Sequence, residues 1–205
     1  MAHLLIHRGL AKKNFKENTL EAFKYCFKKK FGIETDLHTT KDNKIICFHD
    51  FTLKKKFKVN KSIKDLTFNE INYIAKKFNY HIPELRELIN LSKMKNYLML
   101  EMKSQFSKKN LIQLIKLTKK LKFFSITSFN DNNIRRLYKL KKKLNLGIVF
   151  ASTTKINKIV QKSKSEYIKI LVMEKKFLLN KQISLIKKPI YYYTARDKQF
   201  KKKYR

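Results

Sequence analysis

Two carboxylates fall two residues apart in GIETDLHTTKDNKIICFHD, the stretch from Gly32 to Asp50 that closes on His49 and Asp50. Glu34 and Asp36 stand out because the 205-residue chain has 15 acidic residues against 50 Lys and Arg. Residues two apart on a strand point to one face, so Glu34 and Asp36 point together, as do Glu101 and Lys103 in LMLEMK. Three carboxylates converging at one mouth repel one another unless a cation lies between them. Hard divalent ions such as Mg²⁺ and Ca²⁺ take oxygen ligands, so Glu34, Asp36 and Glu101 read as a site for one such ion. His7 and His49 suit acid and base roles near neutral pH. Arg8 and Lys103 suit an anionic group, above all a phosphate. The set reads as metal-assisted attack on a phosphodiester. Taken singly, each residue has an ordinary reading: His7 as a core or surface histidine, Glu34 and Asp36 as solvated carboxylates, Glu101 with Lys103 as an ion pair. Their joint placement at strand ends, in chain order across half the chain, favours the chemical one.

The elements that must position them alternate in type. HLLIH reads as a strand, and NTLEAFKYCFKKK as a helix with Leu20, Phe23, Cys26 and Phe27 at helical spacing and Asn18 or Thr19 as its cap. GIETDLHT and KIICFH read as a hairpin turning at Asp42-Asn43. The basic stretch from about Lys54 to Lys64 reads as a loop. TFNEINYIAKKF opens with a capping box, Thr67 with Glu70, and IPELRELINLSKM is a helix with Pro83 in its first turn. NYLMLEMK, FFSITSF, LGIVF, YIKILVM and PIYYYTA read as strands. Between them lie helices over SKKNLIQLIKLTKKL, over DNNIRRLYKLKKK (capped by Asn130 or Asp131), and over roughly 154–164 and 176–187. This alternation predicts an α/β fold of parallel strands with crossover helices: seven such strands plus one hairpin return. A (β/α)8 barrel typically takes ~250 residues, with a floor of about 200. The expectation is therefore one small TIM-like barrel domain over 1–205, with a β-hairpin after the second strand, that stops short of its C-terminal end.

The formal net charge of +35 invites a polyanion partner, either nucleic acid or an anionic membrane. Lys is dispersed along the chain, however, and rises with Asn, Ile, Phe and Tyr while Gly, Pro and Trp fall to 3, 2 and 0. That is the drift of an AT-rich genome, and no specific nucleic-acid binding is expected from it. Lysine runs such as Lys28–Lys30 and Lys141–Lys143 fall at helix ends, where cations suit the dipole. Cys26 and Cys47 match no metal spacing and read as buried thiols in a reducing compartment. The N-terminus carries His3, His7 and Arg8 in too short an apolar run for a signal peptide, and no stretch reaches the length of a membrane span, so the cytoplasm is the expected location.

The run HRG…ENTLEAF…GIETDLHTTKDNKIICFHDFTLKK closely resembles the glycerophosphodiester phosphodiesterase family. The likeness continues through DLTFNEI, IPELRELI and LMLEMK, and more loosely through SITSF. It implies a TIM-like barrel with Mg²⁺ or Ca²⁺ on Glu34, Asp36 and Glu101, His7 and His49 as the acid–base pair, and Arg8 and Lys103 near the phosphate. It also implies that Asn18 braces the site and that Asp50 orients His49 or its loop. The implied reaction is hydrolysis of small glycerophosphodiesters to sn-glycerol 3-phosphate and an alcohol. A neighbouring substrate hydroxyl attacks the phosphorus, and a cyclic phosphate is then hydrolysed. Alternatives are another phosphodiester or a lysophospholipid as substrate, an inactive or truncated homologue, or a basic binding protein. IYYYTA matches the aromatic strand near the family's C-terminal end, but the further strand of the type G-x-D-G-I-x-T-D-x-P is absent, so an eighth barrel strand is not expected. His38, in DLHTT, reads as a hairpin surface residue or as one facing the pocket.

Overall fold

The computed structural model describes residues 4–193. They form two compact units, 4–124 and 125–193.

The first unit opens with β1 (Leu5–His7), α1 (Leu20–Lys28) and β2 (Gly32–Thr39). Then come β3 (Ile45–Cys47), α2 (Lys54–Phe57), a 3₁₀ turn at Ile63–Asp65, α3 (Phe68–Lys76) and α4 (Leu85–Ser92), and finally β4 (Leu98–Met102) and α5 (Lys108–Thr118). β2 lies between β1 and β4, parallel to both, and β3 returns antiparallel along the end of β2. The register aligns His7 with Glu34, and Asp36 with Glu101. β2 begins at Gly32, where a Cβ would lie 2.9 Å from the Tyr97 carbonyl oxygen and 2.5 Å from Leu5 Cδ2.

Thr19, not Asn18, caps α1, its hydroxyl accepting from the Ala22 amide at 3.4 Å. Asn18 bonds to Asp36 instead. The Thr67–Glu70 capping box is present. Pro83 lies before α4 rather than in its first turn, because Glu84 is the N-cap and its amide donates to the Glu87 carboxylate at 2.8 Å. In the hairpin, Asn43 takes the left-handed conformation (φ 62°) and the Asp42 carboxylate accepts from Thr40 Oγ1 at 2.5 Å and from the Phe68 amide at 3.0 Å. Such local bonds are what Asp and Asn bring to turns.

The stretch from Lys54 to Lys64 is more ordered than a loop. It holds α2 and the 3₁₀ turn, and Leu53, Phe57, Ile63 and Leu66 pack with Ile46, Phe48, Ile71 and Ile82 in one buried cluster. Leu53 and Phe57 are four apart and meet on one helical face, while Lys54 and Lys55 stay exposed.

The second unit takes up β5 (Phe124–Ser128) from Ser125 onward, and β5 leads into α6 (Asp131–Leu140), capped by Asn130. β6 (Leu146–Val149), α7 (Ile156–Ser163), β7 (Ile170–Glu174) and β8 (Ile190–Tyr193) follow. β5 to β8 pair in chain order, all parallel. The helix expected over 176–187 is instead two 3₁₀ turns, Lys175–Leu179 and Lys181–Leu185, separated by Asn180 in extended conformation with its side chain accepting from the Gln182 amide. Among the described residues there are seven parallel-type strands and one hairpin return, as the alternation predicts. The eighth-strand expectation and the expectation for His3 lie outside the described residues. No helix among the described residues is long and apolar enough to cross a membrane.

Candidate active site

All the residues singled out by the sequence belong to the first unit, 4–124. Glu34 and Asp36 project from the same face of β2, and Glu101 comes from β4 in register with Asp36. One carboxylate oxygen from each lies within 4.8 Å of the others. Asp36 is 2% exposed and Glu101 9%. Burial, then the charges of Asp36 and Glu101, push the Glu34 carboxyl well above the usual carboxylate range. Burial raises Glu101 as well, and Lys103 only partly offsets it. The three carboxylates form an all-oxygen donor set of the kind that hard divalent ions take, so the residues present fit such an ion.

Cations flank the trio. Lys103 Nζ lies 2.8 Å from Glu101 Oε1 and 3.5 Å from Asp36 Oδ1. Arg8 Nε lies 3.2 Å from Asp36 Oδ2. The backbone at Arg8 is left-handed (φ 51°), and its amide donates to the Glu34 carbonyl at 2.9 Å. Gly9, at φ 71°, completes the bend, and a Cβ there would lie 2.8 Å from Phe23 Cδ1. That is the physical requirement behind the HRG triplet. Asn18, fully buried and also left-handed (φ 53°), donates from Nδ2 to Asp36 Oδ2 at 3.1 Å. Its Oδ1 accepts from Thr35 Oγ1 at 2.8 Å, which fixes the orientation of the amide. Asn18 therefore holds Asp36 directly.

His7 Nε2 lies 3.9 Å from Glu34 Oε2. Burial, then the neighbouring Arg8 charge, lower the His7 imidazole to about 4, so it is neutral near pH 7. His49 Nδ1 is 2.7 Å from Asp50 Oδ1. A carboxylate can only accept, so Nδ1 carries the proton and Nε2 is the nitrogen left for other chemistry. His49 also bears electrostatically on both His7 and Glu101. All nine residues singled out by the sequence thus lie in one linked cluster.

Four further residues join them. Glu17 accepts from Arg8 Nη1 at 2.9 Å and from Lys56 Nζ at 2.6 Å. Burial works against its charge, but these bonds more than offset it and hold Glu17 down at about 2. The Tyr80 hydroxyl donates to the Glu17 carbonyl, and Lys56 reaches the same hydroxyl at 3.4 Å. His38 is the fourth: 2% exposed, it places Nε2 3.1 Å from the His49 carbonyl. It is a buried residue rather than a hairpin surface one. Glu17 stood inside the ENT motif and His38 two residues past Asp36, but nothing distinguished Lys56 from its neighbours in a lysine run. Cys26 and Cys47 are free and buried, as expected.

Residues 7–188 match the model of the glycerophosphoryl diester phosphodiesterase family. A glycerophosphodiester phosphodiesterase of Caldanaerobacter subterraneus subsp. tengcongensis is 34% identical over 110 residues, which covers 49% of this chain and 45% of that protein. The chain thus spans about half the length of the curated relatives it matches. A glycerophosphodiester phosphodiesterase structure from Thermotoga maritima superposes with a TM-score of 0.81 at 22% identity, covering 99% of this chain and 91% of that one. A phosphodiesterase from Oleispira antarctica, solved with its product sn-glycerol-3-phosphate, gives a TM-score of 0.80 at 17% identity, covering 98% and 88%. These likenesses give the fold, an α/β arrangement of the TIM-barrel type. With the family model matched over residues 7–188, the chain belongs to the glycerophosphoryl diester phosphodiesterase family.

Proposed function

We propose that the protein hydrolyses small glycerophosphodiesters to sn-glycerol 3-phosphate and an alcohol. The observation that supports this most is the convergence of Glu34, Asp36 and Glu101 beside two histidines and two cations. Glu34, Asp36 and Glu101 would hold one Mg²⁺ or Ca²⁺, which supplies Lewis-acid polarisation of the phosphoryl oxygens. Arg8 and Lys103 add positive charge for the phosphate, and Asn18 keeps Asp36 from rotating.

Proton movement divides between the histidines according to their surroundings. His7, neutral near pH 7, takes the proton from the substrate's neighbouring hydroxyl at its free nitrogen. That oxygen attacks phosphorus as the bond from phosphorus to the alcohol oxygen breaks. Protonated His49, held through Nδ1 by Asp50, gives a proton from Nε2 to the departing alcohol. In the second half the roles reverse: His49 takes a proton from water, the water oxygen opens the cyclic phosphate, and His7 returns a proton to the hydroxyl. The test is enzymatic detection of sn-glycerol 3-phosphate released from glycerophosphocholine and glycerophosphoethanolamine, and of choline released from lysophosphatidylcholine, whose other product would be lysophosphatidic acid. Release from the first two supports the reading, and release from the lysophospholipid alone would replace the substrate class. No product from any of them would refute it.

A further inference from the structure

Glu34, Asp36 and His38 alternate along β2 and so share one face of the strand. The first two are carboxylates of the candidate metal site. The third reaches past them to the segment that follows β3. His38 Nε2 lies 3.1 Å from the backbone carbonyl of His49. Its ring stands edge-on to Phe51, with centroids 5.0 Å apart and planes at 80°. On one side of His49, the Phe48 amide is tied to the Asp36 carbonyl at 3.0 Å. On the other, the Phe51 carbonyl accepts from the Ile63 amide at 3.0 Å. The His49–Asp50 peptide between these anchors carries both the imidazole and the carboxylate that orients it.

We propose that His38 is a positioning residue for His49. A carbonyl oxygen can only accept, so His38 must carry its proton on Nε2. The hydrogen bond then fixes the His49–Asp50 peptide, and with it the 2.7 Å bond between His49 Nδ1 and Asp50. One strand thereby supplies two metal carboxylates and the brace that sets the facing imidazole against them. Errors of about 1 Å in such a group can lower turnover about 100-fold.

The inference rests on the phosphodiesterase reading for the role of His49, so the experiment has one arm that needs no turnover. In His38→Gln the side-chain amide can present an N–H where Nε2 now lies. His38→Leu removes the donor, and His38→Phe removes it while keeping a ring against Phe51, so a folding defect in one leaves the other. Expected is a fall in kcat of at least about tenfold in Leu and Phe with KM within about twofold, and recovery in Gln to within about threefold of the parent. In the turnover-free arm, ¹⁵N spectra of the imidazoles, with His49 assigned by its loss in His49→Gln, should show a single Nδ1-protonated form in the parent and Gln proteins and mixed tautomers in Leu and Phe. Equal kcat in all four proteins, an equal fall in folded Gln, or an unchanged His49 spectrum in folded Phe would overturn the proposal. If the parent shows no phosphodiesterase activity, the hydrolase reading fails and the spectra alone decide the brace.

Discussion

Asp36 and Glu101 stand directly opposite each other in the parallel pairing of β2 with β4. Lys103 Nζ bridges them, 3.5 Å from one and 2.8 Å from the other. A buried pair of carboxylates held in place by strand register is a poor stabiliser of a fold and a good ligand for a cation.

Glu34→Gln, Asp36→Asn and Glu101→Gln should each weaken Mg²⁺ or Ca²⁺ binding by at least about 100-fold, since even residues behind a metal ligand contribute ~10- to 100-fold. In the parent protein, metal should raise the thermal midpoint, because a ligand that binds only the folded state stabilises it. The variants should lose that increment. Melting with and without the ion is the check, and an undiminished increment in all three would place the ion elsewhere.

Burial and mutual repulsion raise the proton affinity of Glu34 and Glu101. The folded, metal-free protein therefore keeps protons that the unfolded chain releases above the ordinary glutamate value of 4.5. Its stability should fall as pH rises from that value through the raised ones. Metal binding should displace those protons, so affinity should increase with pH. Titration calorimetry in buffers of different ionisation enthalpy measures the proton release directly, and the melting increment from metal should be larger at pH 8 than at pH 5.

His7→Ala and His49→Ala should each lower kcat by about 10²- to 10⁴-fold, the usual contribution of a positioned acid or base. Metal binding should persist in both. Asp50→Asn should fall between these variants and the parent, because the Nδ1 partner remains but its charge does not. Initial rates beside metal-binding curves separate a catalytic loss from a loss of the ion.

Glu17 anchors Arg8 and Lys56 and is held at about 2. Its contribution to stability should be complete above 4.5 and be lost as pH falls through about 2. Glu17→Gln should destabilise the protein by ~2 kcal/mol and raise KM, because Arg8 loses the carboxylate that aims it. Urea unfolding and steady-state kinetics test the two effects separately.

The carboxylates were legible in the sequence because strand alternation is strict: Glu34 with Asp36 and Glu101 with Lys103 declare a shared face, while His7 and His49 were legible from their places at strand ends. Which strands bring those faces together was legible only from the βα order. Lys56 was not legible. It is one of three consecutive lysines, and only folding reveals that its neighbours face water while its own ammonium reaches Glu17, 39 residues away. Tyr80 is hidden in the same way, 63 residues from the Glu17 carbonyl that it meets. The stretch from Lys54 to Lys64 misled because its charge masks the spacing of Leu53 and Phe57, whose burial fixes the segment. The helix expected near the described C-terminal end failed because Asn180 bonds to its own neighbour's backbone and breaks the run.

The most direct test of the proposed metal-dependent hydrolysis is release of sn-glycerol 3-phosphate by protein stripped with EDTA, then supplied with Mg²⁺ or Ca²⁺. The expected result is loss of at least about 99% of the parent activity on stripping and recovery with one of the two ions. Undiminished release from protein shown by elemental analysis to be metal-free would contradict it, and Glu34, Asp36 and Glu101 would then need another purpose.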